Sequence, residues 1–487
     1  MVIGNSEEKN LIHNVIDFII DKQNISDCLA PEIPSEILNQ IEIFPQEGET
    51  MAQLSFELCN NIVPYCSNFH NSAFMGFPDA GNSMAGLLGS IVSDLLQQNL
   101  INATFCSPMG TRVEMVVIKW LRQLVGYEVF NNNSVETVGG IVTTGGTLSN
   151  TVAMLLARIH KSHESYINGI TNPDEFAVVV PQGIDHYSIT SALHWTGCGK
   201  QIIEVPTQNY RYDLNALKKT LEQYKKRIMC VVAYAGDSRT MTIEDLQGVY
   251  NIVKNTDEDI WLHVDACNGF CLCFSEVLRN KLKGIHLWDS ISMDPHKMMM
   301  LPYTASVLLV KKPADMIAIR TKSDLIMNDG MSLGEITPFL GSKSWMSLKI
   351  WCVMKQYGIN GLGQIMERRY SLAQYLRKKL LSRSDFKVIN PVDGFSVVFM
   401  YCPKNINLSI DKINQLNLLI YEKMLKEKKF YLHQFSLIDQ YSEMADGAVV
   451  HPLRFFSGNE TLTEERIDEI IEYVVQKGRE ICEKGIY

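Results

Sequence analysis

Residues 228–266 read IMCVVAYAGDSRTMTIEDLQGVYNIVKNTDEDIWLHVDA. The run 228–236 is short, apolar at nearly every position and closed by Gly236. The run 259–266 has the same character. Continuous apolar runs of this length suit strands covered on both faces. Between them, TIEDLQGVYNIVKN repeats apolar residues at helical spacing. Strand, helix and strand at these lengths make a βαβ unit, whose two strands lie parallel.

Outward from this unit the alternation continues. GGIVTTGG (139–146) leads into a helix at 149–161. FAVVVP (176–181) is a strand and DHYSITSALHW (185–195) a helix. KQIIEVP (200–206) is a strand, followed by a helix at 213–225. DSISM (289–293) and TASVLLVKK (304–312) supply two further strands. The pattern predicts an α/β fold, a mainly parallel sheet covered by helices. Upstream, Leu11, Ile12, Val15, Ile16, Ile19 and Ile20 form a one-sided stripe, so an amphipathic helix opens the chain. MAGLLGSIVSDLLQQNLIN (84–102) reads as a largely buried helix, and a second helix ends near Gly126. Past residue 345 a long helical stretch (347–381), two apolar segments (387–403 and 448–456) and a helix at 462–484 make a smaller α+β unit. Thr461 and Glu464 have capping-box spacing at the start of that last helix. The expected division is 1–85, 86–345 and 346–487.

Composition bounds the function. A chain of 487 residues, 46% hydrophobic, exceeds what one core usually holds. Its net charge of −9 argues against nucleic acid as a partner. Twelve scattered cysteines read as free thiols in a reducing compartment. The opening MVIGNSEEKN is not a targeting signal, and no apolar run is long enough for a membrane span. We therefore expect a soluble, cytoplasmic protein with no membrane partner.

In open α/β sheets, ligands sit beyond the carboxyl ends of the strands. Four groups fall there. Thr143–Asn150 joins glycines to a helix start, which suits an anion. Asp185-His186 follows the second strand, with a helix cap and a surface histidine as the plain alternative. Asp265 ends a run that should be buried, where a carboxylate needs a cationic partner. Lys297, in SISMDPHKMMM (290–300), lies between two apolar runs. It either reaches out to water or sits dry, where desolvation would lower its pKa and free the amine. A phosphate cradle, an imidazole, a carboxylate and an amine together match the needs of pyridoxal 5'-phosphate (PLP). Cys267, Cys271 and Cys273 lack a second half of a tetrahedral set and read as core cysteines. His160 and His163 read as a solvated helix face, so no metal is expected.

TTGGTLSN, DHYSI, HVDACNGF, MDPHK and LRFFSGNETLT occur in one order along the chain. In this the sequence resembles the group II PLP-dependent decarboxylases, which act on aromatic amino acids, glutamate, cysteine sulfinate and diaminobutyrate. The resemblance implies fold type I, with a large PLP domain and a small C-terminal domain. It also implies a helical N-terminal segment clasping a second subunit, hence a homodimer with shared active sites. It assigns Lys297 to covalent attachment of the cofactor, Asp265 to the pyridine nitrogen and His186 to stacking on the ring. Gly146 and Thr147 take the phosphate; Ser238, in AGDSRT, and His296 join the cofactor contacts. Arg454 falls where the family has an arginine that holds a substrate carboxylate. Phe77, Asp79 and Asn102 fall in the side-chain pocket. There Asp79 reads either as counter-charge to a polar, cationic side chain or, like Asn82, as a cap of the next helix.

The implied reaction is decarboxylation of an L-amino acid. Oxidative decarboxylation to an aldehyde, carbon–carbon lysis or transamination on the same scaffold are the alternatives, and a non-catalytic PLP-fold protein is a further one. Family decarboxylases carry a loop tyrosine that protonates the substrate carbon after CO₂ leaves. Residues 320–345, where that loop should fall, contain no tyrosine, and Leu333 takes its place. His186 or a residue of a partner subunit is the candidate replacement.

Overall fold

The computed structural model describes residues 4–485 except 80, 133, 322, 324–329, 338 and 405. Its centre is a seven-stranded sheet of β1 (Gly140–Thr143), β2 (Ala177–Pro181), β3 (Ile202–Val205), β4 (Ile228–Tyr234), β5 (Trp261–Asp265), β6 (Ser290–Met293) and β7 (Ser306–Val310), in the order β1-β7-β6-β5-β4-β2-β3. The strands from β3 across to β6 are parallel. β7 is antiparallel to both its neighbours, so β1 runs with the parallel set. Every residue of β4 and β5 is buried, and β4 accordingly reads as a continuous apolar run, while β5 carries the buried polar residues His263 and Asp265. In register, Tyr234 pairs with Asp265 and Asp265 with Ser292. The carboxyl ends of β4, β5 and β6 therefore lie level, and the loops that follow them converge on one edge.

The smaller unit is a four-stranded antiparallel sheet, built from Phe386–Val388, Ser396–Tyr401, Leu453–Phe456 and His433–Gln434. The helix Ser347–Leu381 serves both cores. Ile350, Val353, Leu362 and Met366 pack in the large one, and Leu372, Leu376 and Leu380 in the small one. At Gly358 its backbone leaves helical geometry with φ 61°, a conformation glycine adopts without a Cβ penalty.

Two local expectations need correction. The helix at 84–102 ends at Leu96, where Gln97 turns left-handed, and it is not largely buried. Met84, Leu88, Leu95 and Leu96 are all more than half exposed. Its N-cap is Ser83, whose hydroxyl accepts from the N–H of Gly86, so neither Asp79 nor Asn82 caps it. The last helix starts at Glu464 with Thr463 as N-cap, while the Thr461 hydroxyl donates to Asn459. The opening helix, Ser6–Ile25, has a capping box between Asn5 and Glu8 and no buried residue. With Ile25, Phe44 and Phe56 it leaves an apolar surface open along the N-terminal segment.

Candidate active site

A cavity of about 250 Å3 opens at the carboxyl edge of the sheet. Gly146, Thr147, His186, Ser238, Asp265, His296 and Lys297 all line it. Each arrives on a different local device. The helix Gly146–Lys161 follows β1 and has no side-chain cap, which leaves its first N–H groups without a side-chain partner. A Cβ on Gly146 would lie 2.7 Å from the Cys267 sulfur and 2.9 Å from both Asp294 carboxylate oxygens, so only glycine fits there. His186 caps the helix Tyr187–Trp195 through its own ring, Nδ1 accepting from the N–H of Ser188. Asp265 is the last residue of β5. Lys297 sits on a single turn, Pro295–Met298, opened by a proline directly after β6.

That turn decides the electrostatics of the lysine. Lys297 Nζ lies 2.9 Å from Asp294 Oδ2, and Ser306 donates to the other oxygen at 2.5 Å. Burial disfavours the charge on Lys297, but Asp294, with Cys267 and Asp265 beyond it, outweighs burial and holds the amine above its ordinary pKa. The expectation of a lowered pKa is thus corrected: the carboxylate three residues back outweighs the desolvation that the flanking apolar runs impose. The Lys297 side chain keeps 23% of its surface open, on the cavity side.

Asp265 is 7% exposed. Burial would raise its carboxyl. His186, hydrogen bonds from Asn150 (2.9 Å) and the Cys267 N–H (3.1 Å), and Lys297 outweigh it and hold it below its usual range. Burial lowers the pKa of both His186 and His296. His296 Nδ1 lies 2.9 Å from the Ala305 carbonyl and donates to it.

The four predicted substrate residues are placed differently, and none of them lines the cavity. Arg454 is 5% exposed, with Nη2 and Nε donating to the Gly76 carbonyl at 3.0 and 3.3 Å and Nη1 to the Ser238 carbonyl. Its donors serve main-chain oxygens that tie the three segments together. Its guanidinium lies over the Phe77 ring, 5.2 Å from the centroid. Asp79 has a buried Oδ1 with no hydrogen-bond partner among the described residues, and burial raises its carboxyl against the pull of Lys297, His296 and Arg454. Asn102 is buried, its Oδ1 accepting from the N–H groups of Thr104 and Phe105. Leu333 is fully buried in the large core, on the turn Leu333–Ile336, and does not line the cavity either. The rest of the loop reading falls partly on 322, 324–329 and 338, outside the described residues.

Sequence reasoning missed Asp294, Asn150, Ser188 and Tyr234, all on the cavity wall. Asp294 and Asn150 lay inside motifs already singled out, but their partners are fixed only by the fold. Cys271 and Cys273 belong to the core, as read, whereas Cys267 lines the cavity. All twelve cysteines are free, and the described residues hold no cluster suited to a metal. His160 pairs with Asp259 at 3.0 Å.

These residues fit PLP. The uncapped helix terminus would suit its phosphate, the ionised buried carboxylate of Asp265 would pair with its pyridinium nitrogen, and the Lys297 amine on the same cavity wall would carry it covalently. The fold and the cavity define a pyridoxal-phosphate-dependent enzyme. Residues 34–402 match the family model described as the pyridoxal-dependent decarboxylase conserved domain. Among curated relatives, the aromatic-L-amino-acid decarboxylase of Bacillus atrophaeus is 27% identical over 440 residues, 86% of each chain. The L-2,4-diaminobutyrate decarboxylase of Acinetobacter baumannii is 27% identical over 357 residues, 67% of this chain and 68% of the relative. Among solved structures, Oryza sativa TDC with PLP and tryptamine superposes with a TM-score of 0.88 at 19% identity, covering 99% of both chains. Mouse CSAD superposes with a TM-score of 0.85 at 21% identity, covering 96% of this chain and 98% of that one. At such identities the structural likeness speaks for the fold. The chain belongs to the pyridoxal-dependent decarboxylase family. It is a PLP-dependent amino acid decarboxylase of fold type I.

Proposed function

We propose that this enzyme removes the α-carboxylate of an L-amino acid whose side chain is polar and cationic, with PLP carried on Lys297. When bound, PLP supplies the electron sink for bond cleavage at the substrate's α-carbon. Asp265 keeps the pyridine nitrogen protonated, His186 covers the ring, and Gly146 and Thr147 hold the phosphate, with Ser238 and His296 alongside. The single observation carrying this reading is that these seven residues line one cavity. The cationic preference rests on Asp79. Its Oδ1 is buried and unpartnered among the described residues, and the helix-cap alternative falls to Ser83. Phe77, which lies under the Arg454 guanidinium, is assigned with Asp79 to the substrate side chain. Asn102 is assigned to the same side-chain pocket.

The same reading makes the enzyme a homodimer with shared active sites, in the cytoplasm, where its free thiols stay reduced. The apolar faces left open on the opening helix and on Met84–Leu96 support the dimer. No described helix is long and apolar enough to cross a membrane. We keep the division 1–85, 86–345 and 346–487, with Ser347–Leu381 bridging the last two units. Deleting residues 1–60 should give inactive or insoluble protein; a fully active monomer would refute the dimer.

The function is tested by the visible band of the purified protein, by borohydride reduction with peptide mapping, and by screening amino acids for CO₂. A pyridoxyl group on any lysine but Lys297 would overturn the site. Turnover of aromatic amino acids in preference to diamino acids would overturn the role of Asp79. A second reading, in which part of the product is aldehyde, is favoured by the loop without tyrosine (320–345). Amine and aldehyde should therefore be measured together, with oxygen uptake.

A further inference from the structure

Asn150 stands at the centre of a buried polar cluster that the roles above leave unused. It is 1% exposed. Its amide nitrogen donates to Asp265 Oδ2 at 2.9 Å and to Ser188 Oγ at 2.8 Å. Its amide oxygen lies 3.0 Å from His263 Nε2. His263 Nδ1 is 2.8 Å from Ser290 Oγ, which accepts from the Trp261 indole N–H at 2.9 Å. On the other side, Ser188 Oγ is 2.7 Å from His186 Nδ1, and the Ser188 backbone N–H points at the same nitrogen from 3.2 Å.

The protons of this cluster have one consistent arrangement. Asp265 is held ionised and only accepts, so the amide NH₂ faces it. Turning the amide over would set an oxygen lone pair 2.9 Å from the carboxylate. The amide oxygen therefore faces His263, whose Nε2 carries the proton. His263 Nδ1 then accepts the Ser290 hydroxyl proton, while the Ser290 oxygen takes the indole N–H. Burial keeps His263 uncharged, lowering its pKa to about 4. In the other direction, Asn150 donates to the Ser188 oxygen, and the Ser188 hydroxyl turns its proton to His186 Nδ1. The backbone N–H aimed at that nitrogen excludes a proton on it. A neutral His186 therefore carries its proton on Nε2.

We propose that Asn150 is a positioning residue that holds His186 as the Nε2–H tautomer, a neutral hydrogen-bond donor to an anionic oxygen of the ligand in the cavity, and ties that tautomer to the ionised state of Asp265. The inference rests on the reading of this cavity as the PLP site. In this state His186 is not a base. Nor does it replace the loop tyrosine, because losing the Nε2 proton would leave an anionic ring or a serine alkoxide.

The test is solid-state ¹⁵N NMR of the holoenzyme labelled in histidine, with His186→Gln identifying the resonances. The expected result near neutral pH is a protonated Nε2 and a bare Nδ1. In Asn150→Asp the pair with Asp265 takes up one proton and shares it, the amide N–H that held the Ser188 oxygen is gone, and the Ser188 hydroxyl can turn its proton to the new carboxyl, so an Nδ1–H form of His186 should appear. A wild-type His186 protonated on Nδ1, or on both nitrogens, overturns the proposal, as does an Asn150→Asp spectrum unchanged from wild type. Should that variant not fold, the wild-type spectrum decides alone. A wild-type protein without a cofactor band on Lys297 would refute the proposed function instead, whereas a normal band with the wrong tautomer refutes only this inference.

Discussion

Replacing Asp294 by Asn should release the lysine amine. The two charged groups lie 2.9 Å apart. At an effective dielectric of about 20, unit charges at that distance attract by about 6 kcal/mol. Removing one leaves Lys297 with burial, which favours the neutral amine, and with the weaker pulls of Cys267 and Asp265. Screening through the open 23% of the lysine side chain reduces the net change further. We expect roughly 2 kcal/mol, and one pK unit is about 1.4 kcal/mol. The neutral fraction at about pH 7.5 should rise about 10- to 30-fold. The assay mixes PLP with dialysed, cofactor-free protein in a stopped-flow instrument and follows the visible band as pH is varied. Asp294→Asn should develop the band about tenfold faster, with its rate–pH curve displaced to lower pH. An unchanged or slower rate, or an undisplaced curve, would mean that Asp294 does not set the state of the amine. For stability the sign is separate. The folded pKa of Lys297 is raised, so the pair's contribution is fully present below the unfolded lysine value of about 10.4 and is lost only as pH rises through the folded value. Between about pH 6 and 9, reactivity should vary with pH while the pair's contribution to stability does not.

Other residues give independent checks. Gly146→Ala should weaken PLP binding at least about tenfold, or about 1.4 kcal/mol, in a fluorescence titration; undiminished affinity would move the phosphate away from that helix terminus. Leu333→Tyr should not raise the yield of amine, since Leu333 is fully buried. It should instead overpack the core and cost about 1–3 kcal/mol, seen as a lower melting temperature. A variant of wild-type stability that made more amine would return this residue to the site. His263, buried with a pKa of about 4, should make the fold less stable as pH falls from about 6.5 toward 4, because the unfolded chain takes up a proton that the folded one refuses. The full effect is about 3 kcal/mol, and His263→Gln should flatten the slope of urea midpoints across that range. Identical slopes would show that another group carries the acid sensitivity.

The sheet was legible because its strands, apart from the edge strand Ile202–Val205, are fully buried and so appear as short, mainly apolar runs. The helix Met84–Leu96 was misread for the opposite reason. An apolar run of that length is equally consistent with a core and with a subunit contact, and periodicity does not distinguish them. The start of the last helix shifted because Thr461 and Thr463 both offer a hydroxyl near Glu464, and only backbone geometry selects the cap.

By itself the sequence determined the α/β alternation, the placement of Gly146, His186, Asp265 and Lys297 at or just beyond the carboxyl ends of strands, and from these the cofactor. Such features follow from short-range rules: strand burial, glycine at a close approach, a helix start after a turn. The tertiary structure alone decided that Asp294 holds Lys297 charged, that Arg454 spends its donors on the Gly76 and Ser238 carbonyls, that Leu333 lies in the core, and that Asn150 joins Asp265 to His186. Each of these is a distance of a few ångströms between side chains set by sheet register and packing. Coulomb and hydrogen-bond energies depend on that distance, and residue order along the chain does not contain it.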